Sequence, residues 1–270
     1  MNGEERRRQL SEFLARQGYA DLSSLACELG VSESTVRRDL SQLEEEGVVR
    51  RTHGGAVFVS DRFSVLNYAD RETAAVKEKE AIGRVGAALV ADGETILLDG
   101  GTTTYQVAWH LRMRRLQVVT NSLPIASLLS NSAGIELIFV GGYIYPRTGV
   151  ALGPIAQQTL ASLNVSKAFM GLAGITPEAL YNANMLMVEA ERQMMRCADE
   201  VIVVADHSKF GKRGLAQLGG WEMIDRVVTD AQLDPPWPEV LRQAQVELIV
   251  AGVDDLAGAG VRGAAVGGEA

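Results

Sequence analysis

The sequence has little of what builds a disulfide scaffold, a metal centre or a membrane protein. Two cysteines in 270 residues, Cys27 and Cys197, lie far apart without a Cys-x-x-Cys partner, so neither a disulfide framework nor a zinc ribbon is expected. Both read as small buried hydrophobes in a reducing compartment. The three histidines, His53, His110 and His207, are scattered without metal-ligand spacing, so no metal site is expected. Positive charge is not in excess either. A net charge of −8 excludes a protein that coats nucleic acid or anionic lipid by bulk attraction, and any polyanion must be met by a local patch. No apolar run reaches membrane-spanning length, and the start, MNGEERRRQLSEFLARQG, is charged within its first turns. A cytoplasmic protein without a membrane partner is therefore expected. The Walker pattern and the dinucleotide fingerprint are both missing, and no cofactor is expected.

What is present is an ordinary globular composition, 47% hydrophobic, with enough apolar residues for two cores. Residues 4–57 read as three helices and a short hairpin. Leu10, Phe13 and Leu14 recur at helical spacing before Gly18. Leu22, Leu25, Ala26 and Leu29 line a second helix, with Ser23 or Ser24 as N-cap and Gly30 as its stop. Ser32 caps a third helix that Gly47 ends, and VVRRTHGGAVF folds back around Gly54 and Gly55. This is a helix-turn-helix with a small wing. Residues 58–76 show no clear period and read as a linker or docking segment. From Lys77 to residue 252, seven apolar runs (TILLD, QVVTN, IELIFVGG, KAFMGLAGI, EVIVVAD, RVVTD, VELIVA) alternate with helical stretches. That alternation predicts a doubly wound, mainly parallel sheet covered on both faces. Residues 253–270 read as a frayed Gly/Ala-rich tail. The expected class is therefore α/β: a small winged helix-turn-helix domain over 1–57, then a larger doubly wound domain.

On the third helix Val36, Leu40 and Leu43 fall on one side, which must be packed, and Ser34, Arg38, Ser41 and Glu45 fall opposite, with Arg37 on the flank. A helix so held, offering Ser and Arg from its N-terminal end, has the layout of a recognition helix in a major groove. Arginine grips guanine with two hydrogen bonds. Ser32, Ser34 and Thr35 can reach bases or phosphates, while Arg50, Arg51 and His53 on the wing lie beside phosphates. The expected partner is double-stranded operator DNA.

In the larger domain, ligands belong beyond the carboxyl ends of the strands. There LLDGGTTTYQVA passes from strand to glycine turn to helix, so Asp99, Gly101, Thr102, Thr103 and Thr104 form a candidate phosphate site. Asn121 and Ser122 end the next strand, Gly141 and Gly142 another, and Lys209 in VVADHSKFG can meet a phosphate as a point charge. Glu189, Glu191 and Arg192 either reach the ligand or form surface pairs, the second being preferred for Glu191 and Arg192. Tyr143, Tyr145 and Arg147 either cover the pocket or serve an oligomer interface. Trp109, Trp221 and Trp237 read as core or interface residues.

The stretch VSESTVRRDLSQLEEEGVVRRTHGGA resembles the DNA-binding signature of the DeoR-type bacterial transcriptional regulators. The likeness continues through DGGTTT, VVTNSLPIA, VGGYIYPRTG and VADHSKFG, over about residues 4–230 in the family's order. The resemblance implies a repressor of a carbohydrate operon, released by a phosphorylated sugar; since one recognition helix reads few base pairs, a dimer or tetramer is expected. The second domain of that family is similar to ribose-5-phosphate isomerase, which makes an isomerase fused to a DNA-binding module the rival expectation. Where the isomerase carries an acid-rich loop, GLAGITPEAL has Ala173, although Asp99 remains. Ala179 also follows Glu178 where many relatives have Gly.

Overall fold

The computed structural model describes residues 3–17, 19–45, 48–52, 54–58 and 68–252. The chain divides into two compact units, residues 1–64 and 65–270. In the first, α1 (Gly3–Gln17), β1 (Tyr19–Asp21), α2 (Leu22–Leu29), α3 (Glu33–Glu45), β2 (Val49–Arg51) and β3 (Gly55–Phe58) follow in order. Leu10, Leu14, Leu25, Val36, Leu40 and Leu43 meet in one core, and each of these residues repeats the helical spacing of its segment. The strands form an antiparallel sheet in the order β1-β3-β2. β1 was not legible in the sequence, since three residues are too few to show a period. It brings Ala20 against the wing, where a Cβ on Gly55 would stand 2.1 Å from the Ala20 carbonyl oxygen. Only glycine lets the two backbones come that close.

The caps agree in part. Gly30 ends α2 in the left-handed conformation, φ 63°, and the Ser32 hydroxyl accepts from the Thr35 amide at 3.3 Å. The N-cap of α2 is Asp21 and not Ser23 or Ser24, because the longer carboxylate takes the Ser24 amide at 2.8 Å and both serine hydroxyls as well. Gly18 and Gly47 lie outside the described residues. Cys197 is buried as expected, whereas Cys27 is exposed, on the side of α2 away from the core.

The second unit opens with α4 (Tyr68–Glu72), α5 (Val76–Ala88), β4 (Thr95–Leu98), α6 (Thr102–Leu111), β5 (Leu116–Thr120), α7 (Leu123–Leu129) and β6 (Ile135–Phe139). Then come β7 (Tyr143–Tyr145), β8 (Val150–Leu152), α8 (Pro154–Ala161), β9 (Val165–Met170), β10 (Gly174–Ile175), β11 (Leu180–Asn182) and α9 (Met185–Arg196). It closes with β12 (Ala198–Val204), β13 (Ala216–Gly219), β14 (Arg226–Asp230), α10 (Trp237–Gln243) and β15 (Glu247–Ala251). The seven apolar runs read from the sequence are the seven strands of one sheet, ordered β15-β14-β12-β9-β4-β5-β6 and parallel throughout. Alternate residues feed opposite cores: Leu97, Ala168, Met170 and Val203 pack with α8, α9 and α10, and Ile96, Leu98, Phe169 and Ile202 with α5, α6 and α7. Two small antiparallel sheets, β7-β8 and β10-β11-β13, stand apart from it. Their strands have two to four residues, too few for a pattern to show.

The segment 58–76, expected as linker or docking segment, is shorter than that as a connection. From Tyr68 it belongs to the second unit. The Tyr68 amide donates to the Arg147 carbonyl at 2.9 Å, and the Lys79 ammonium is bonded to the carbonyls of Arg71 and Ala74. The expected tail, 253–270, lies outside the described residues.

Candidate functional site

In the first unit, the packed face of α3 is the one expected, with Val36, Leu40 and Leu43 at most 4% exposed. Ser32, Ser34, Arg37 and Arg38 are exposed on the other side, and Thr35 is half-buried. Ser32 bonds both the Ser34 and Thr35 hydroxyls, at 2.9 and 3.0 Å, so the three form one hydroxyl cluster at the start of the helix. Arg37 stands 3.6 Å from Glu33, one turn back. Arg38 is exposed and makes no ion pair among the described residues. Arg51 on β2 folds back onto α3: its amide donates to Glu44 at 2.8 Å and its guanidinium to the Ser41 hydroxyl at 2.5 Å. Ser41 in turn donates to the Arg37 carbonyl at 3.0 Å. Ser41 and Arg51 therefore occupy each other, and the wing is tied to the helix through them. Arg50 lies on β2 opposite Val57. His53 lies outside the described residues.

In the second unit, the chain order of the sheet reverses between β4 and β9, and at such a reversal the loops leaving adjacent strands part and open a crevice. The crevice is narrow, with a cavity volume of about 40 Å³. Its walls are the ends of those strands and of β12: Gly100 to Thr103, Gly171 and Leu172, Val204 and Ala205, with Lys209 just beyond. Gly101 is the N-cap of α6 and has no side chain to accept from the first amides, so among the described residues no side chain caps this helix end on the crevice. A Cβ on Gly100 would sit 2.0 Å from a methyl of Val150, which is why the loop needs glycine there. Thr102 and Thr103 line the crevice, while the Thr104 hydroxyl turns inward to the Gly101 carbonyl at 3.0 Å.

Two acids are buried beside it. Asp99, 3% exposed, accepts from the Gly171 amide at 3.2 Å, and burial pushes its carboxyl up to about 6. Glu191, 1% exposed, accepts from Asn182, and its second oxygen has no partner; burial, with the charge of Asp99 next, holds it well above the usual carboxylate range. Lys209 is lowered by burial, against the pull of Asp206. Asp206 caps the 3-10 turn His207–Lys209 by taking the Ser208 amide at 3.1 Å.

Of the residues predicted for the ligand, Gly101, Thr102, Thr103 and Lys209 meet at the crevice, with Asp99 against its floor. Asn121 and Ser122 are buried behind the loop. Asn121 donates to the Ala151 carbonyl at 3.0 Å, and Ser122 caps α7. Gly141 and Gly142 are not in its wall; Gly142 instead lets the β7-β8 hairpin close against the Leu152 carbonyl. The sequence reading missed Arg71, Asn182 and Met187, all in the wall. It also placed Glu191 on the surface, where burial contradicts it. A signal for Glu191 existed: it falls on the face of α9 that buries Met187, Val188, Met194 and Met195, and an acid in a core stripe is informative. Arg192 is structural, donating to the Leu218 and Gln217 carbonyls at 2.7 and 3.0 Å. Trp109 is exposed under the Arg112 guanidinium, whereas Trp221 is buried and Trp237 packs edge-on to Phe210. Ala173 supplies only its amide, to the Tyr181 carbonyl. Among the described residues no group of His, Cys, Asp and Glu is placed to hold a metal ion.

Residues 6–62 match the DeoR-like helix-turn-helix domain, and residues 74–231 match the DeoR C terminal sensor domain. The chain belongs to the DeoR family. It is 33% identical over 255 residues to the HTH-type transcriptional repressor GlcR of Bacillus subtilis (strain 168), covering 94% of this chain and 99% of that one. To the glycerol-3-phosphate regulon repressor of Escherichia coli (strain K12) it is 30% identical, over 92% of this chain and 99% of the repressor. Among solved structures, ribose 5 phosphate isomerase A of Neisseria gonorrhoeae overlaps half of each chain, at 12% identity and a TM-score of 0.37, too loose a likeness to bear on activity. This DeoR protein is thus a DNA-binding transcriptional regulator with a sensor domain, not an isomerase.

Proposed function

We propose that the protein represses a carbohydrate-metabolism operon and is released from its operator by a phosphorylated sugar bound in the crevice of the second unit. The observation that carries this reading is the uncapped amino end of α6 at Gly101, with Lys209 on the same crevice. Free amides at a helix N-terminus and a half-buried ammonium favour a phosphate group. The names of two relatives, the glycerol-3-phosphate regulon repressor and the lactose phosphotransferase system repressor of Lactococcus lactis, fit such an effector.

On the DNA side, Arg38 reads base edges, Ser32, Ser34, Thr35 and Arg37 flank it, and Arg50, Arg51 and His53 meet phosphates. One recognition helix reads few base pairs, so the protein acts in the cytoplasm as a dimer or tetramer on two-fold half-sites. The test is a thermal-shift screen against phosphorylated sugars and their unphosphorylated parents, followed by operator titration with each compound that shifts melting. A stabilising sugar phosphate that also weakens operator binding is expected. Stabilisation by the parents alone, or by none, would sink the reading.

A further inference from the structure

Arg71 is the least explained charged group of the crevice. It stands on α4, and its Nε and Nη2 are buried without an acceptor among the described residues. Tyr68 packs under it, with the guanidinium carbon 5.9 Å from the ring centre. Asp99 lies near enough to attract it and yet accepts no bond from it. A buried cation with unused donors is costly unless a ligand completes it. Nε and Nη2 form the side-on edge of the guanidinium, whose two parallel N–H bonds match two oxygens of one phosphate. The carbonyl of Arg71 accepts at the same time from the buried ammonium of Lys79.

Resting on the sugar-phosphate reading above, we propose that Arg71 is a second cationic anchor of the effector's phosphate, opposite Lys209, and that the effector thereby fastens α4 to the sensor. α4 is the first described element after the DNA-binding unit, across residues 59–67. Two cations and the α6 amides match the double charge of a phosphate monoester better than the single charge of a sugar carboxylate. Because the anchor sits on α4, occupancy of the pocket adds a side-chain tie to residues 68–72, beyond the backbone bonds that Tyr68 and Arg71 already make to Arg147 and Lys79. The effector class and the route of its signal then share one residue.

The experiment uses the full chain with inorganic phosphate as probe, read by calorimetric titration and by hydrogen exchange over residues 68–72. Wild type should bind phosphate, and exchange at 68–72 should slow on binding. R71M should lose roughly tenfold to a hundredfold in affinity and show no slowing. R71K, which keeps the charge but not the fork, should lose less and still stay folded if R71M does not. Phosphate binding unchanged in both variants would overturn the anchor while leaving the sugar-phosphate site standing. Exchange at 68–72 that ignores phosphate in wild type would overturn the coupling. A wild type that binds neither phosphate nor any phosphorylated sugar would remove the site reading and this inference together.

Discussion

Arg6 on α1 grips Asp39 on α3 with two bonds, Nε to Oδ2 at 2.5 Å and Nη2 to Oδ1 at 3.1 Å. Asp39 follows Arg38 in the sequence, and at 2% exposure it is a buried carboxylate on α3. The pair therefore sets how α3 is held against α1 while its outer face stays free. Breaking a buried pair strands the remaining charge, at a cost of about 3 kcal/mol. Arg7, 3.9 Å away, offsets part of that. Arg6→Ala should lower the melting of the first unit by an amount corresponding to about 2–3 kcal/mol, and Arg6→Lys, which keeps one bond, by less. Calorimetry, with hydrogen exchange along α3 to assign the transition, checks this. Equal melting of Arg6→Ala and wild type would show that the pair is solvent-compensated.

Arg38 and Arg51 should behave differently on DNA although both are exposed. Arg38 is free to reach a base, so Arg38→Ala should cost about 1–3 kcal/mol of specific binding and relax base preference at one position. Arg51 is bonded to Ser41 on its own recognition helix. A phosphate contact from there weakens all sequences alike when removed, and Arg51→Ala should reduce the slope of log affinity against log salt by roughly 0.9. Operator selection followed by titration at several salt concentrations separates the two. A sequence-specific loss in Arg51→Ala would reassign it from the backbone to a base.

Asp99 carries a pH signature. Its carboxyl is raised from 3.8 to about 6, first by burial. The folded state therefore prefers the protonated acid. That preference contributes fully below about pH 4, where the unfolded chain is also protonated, and is lost as pH rises through about 6. Asp99→Asn should remove this slope, so its melting temperature should gain on wild type between about pH 4 and 6, by the equivalent of about 2 kcal/mol. Glu191 is raised partly by the charge of Asp99, so the double variant with Glu191→Gln should gain less than the sum of the singles. A flat difference across that window would mean that water reaches Asp99.

The legible parts of this protein are those with enough residues to show a period. Seven strands of four to seven residues and the face of α3 that carries Val36, Leu40 and Leu43 were readable because burial there repeats. β1, β10 and β11, with two or three residues each, are held by their partners and not by their own sequence. In the pocket, Gly101 to Thr103 and Lys209 announce themselves through residue types that suit a phosphate. Arg71 does not, because it sits on a helix of five residues in a stretch without pattern, and only folding brings it into the wall. Asn121 and Ser122 are polar at a strand end for a local reason as well, since Asn121 donates to the Ala151 carbonyl and Ser122 caps α7.

The sensor and the DNA reader should be separable at Lys209. Burial depresses its ammonium pKa, so an anion placed beside it gains both a partner and a desolvated charge. Lys209→Ala should weaken a phosphorylated sugar by about 1.5–3 kcal/mol while operator affinity without effector stays within about twofold. Because an anion stabilises the ammonium, wild-type effector affinity should fall as pH climbs through the depressed pKa of Lys209, and the variant should lose that dependence. Linkage adds a second check on the same sample. If effector weakens operator binding by some factor, operator must weaken effector binding by the same factor, typically the equivalent of about 1–3 kcal/mol. The two factors can be measured independently by titrating effector with and without operator, and operator with and without effector. A Lys209→Ala protein that still released DNA at wild-type effector concentrations would mean that the phosphate sits elsewhere, whatever the thermal shifts showed.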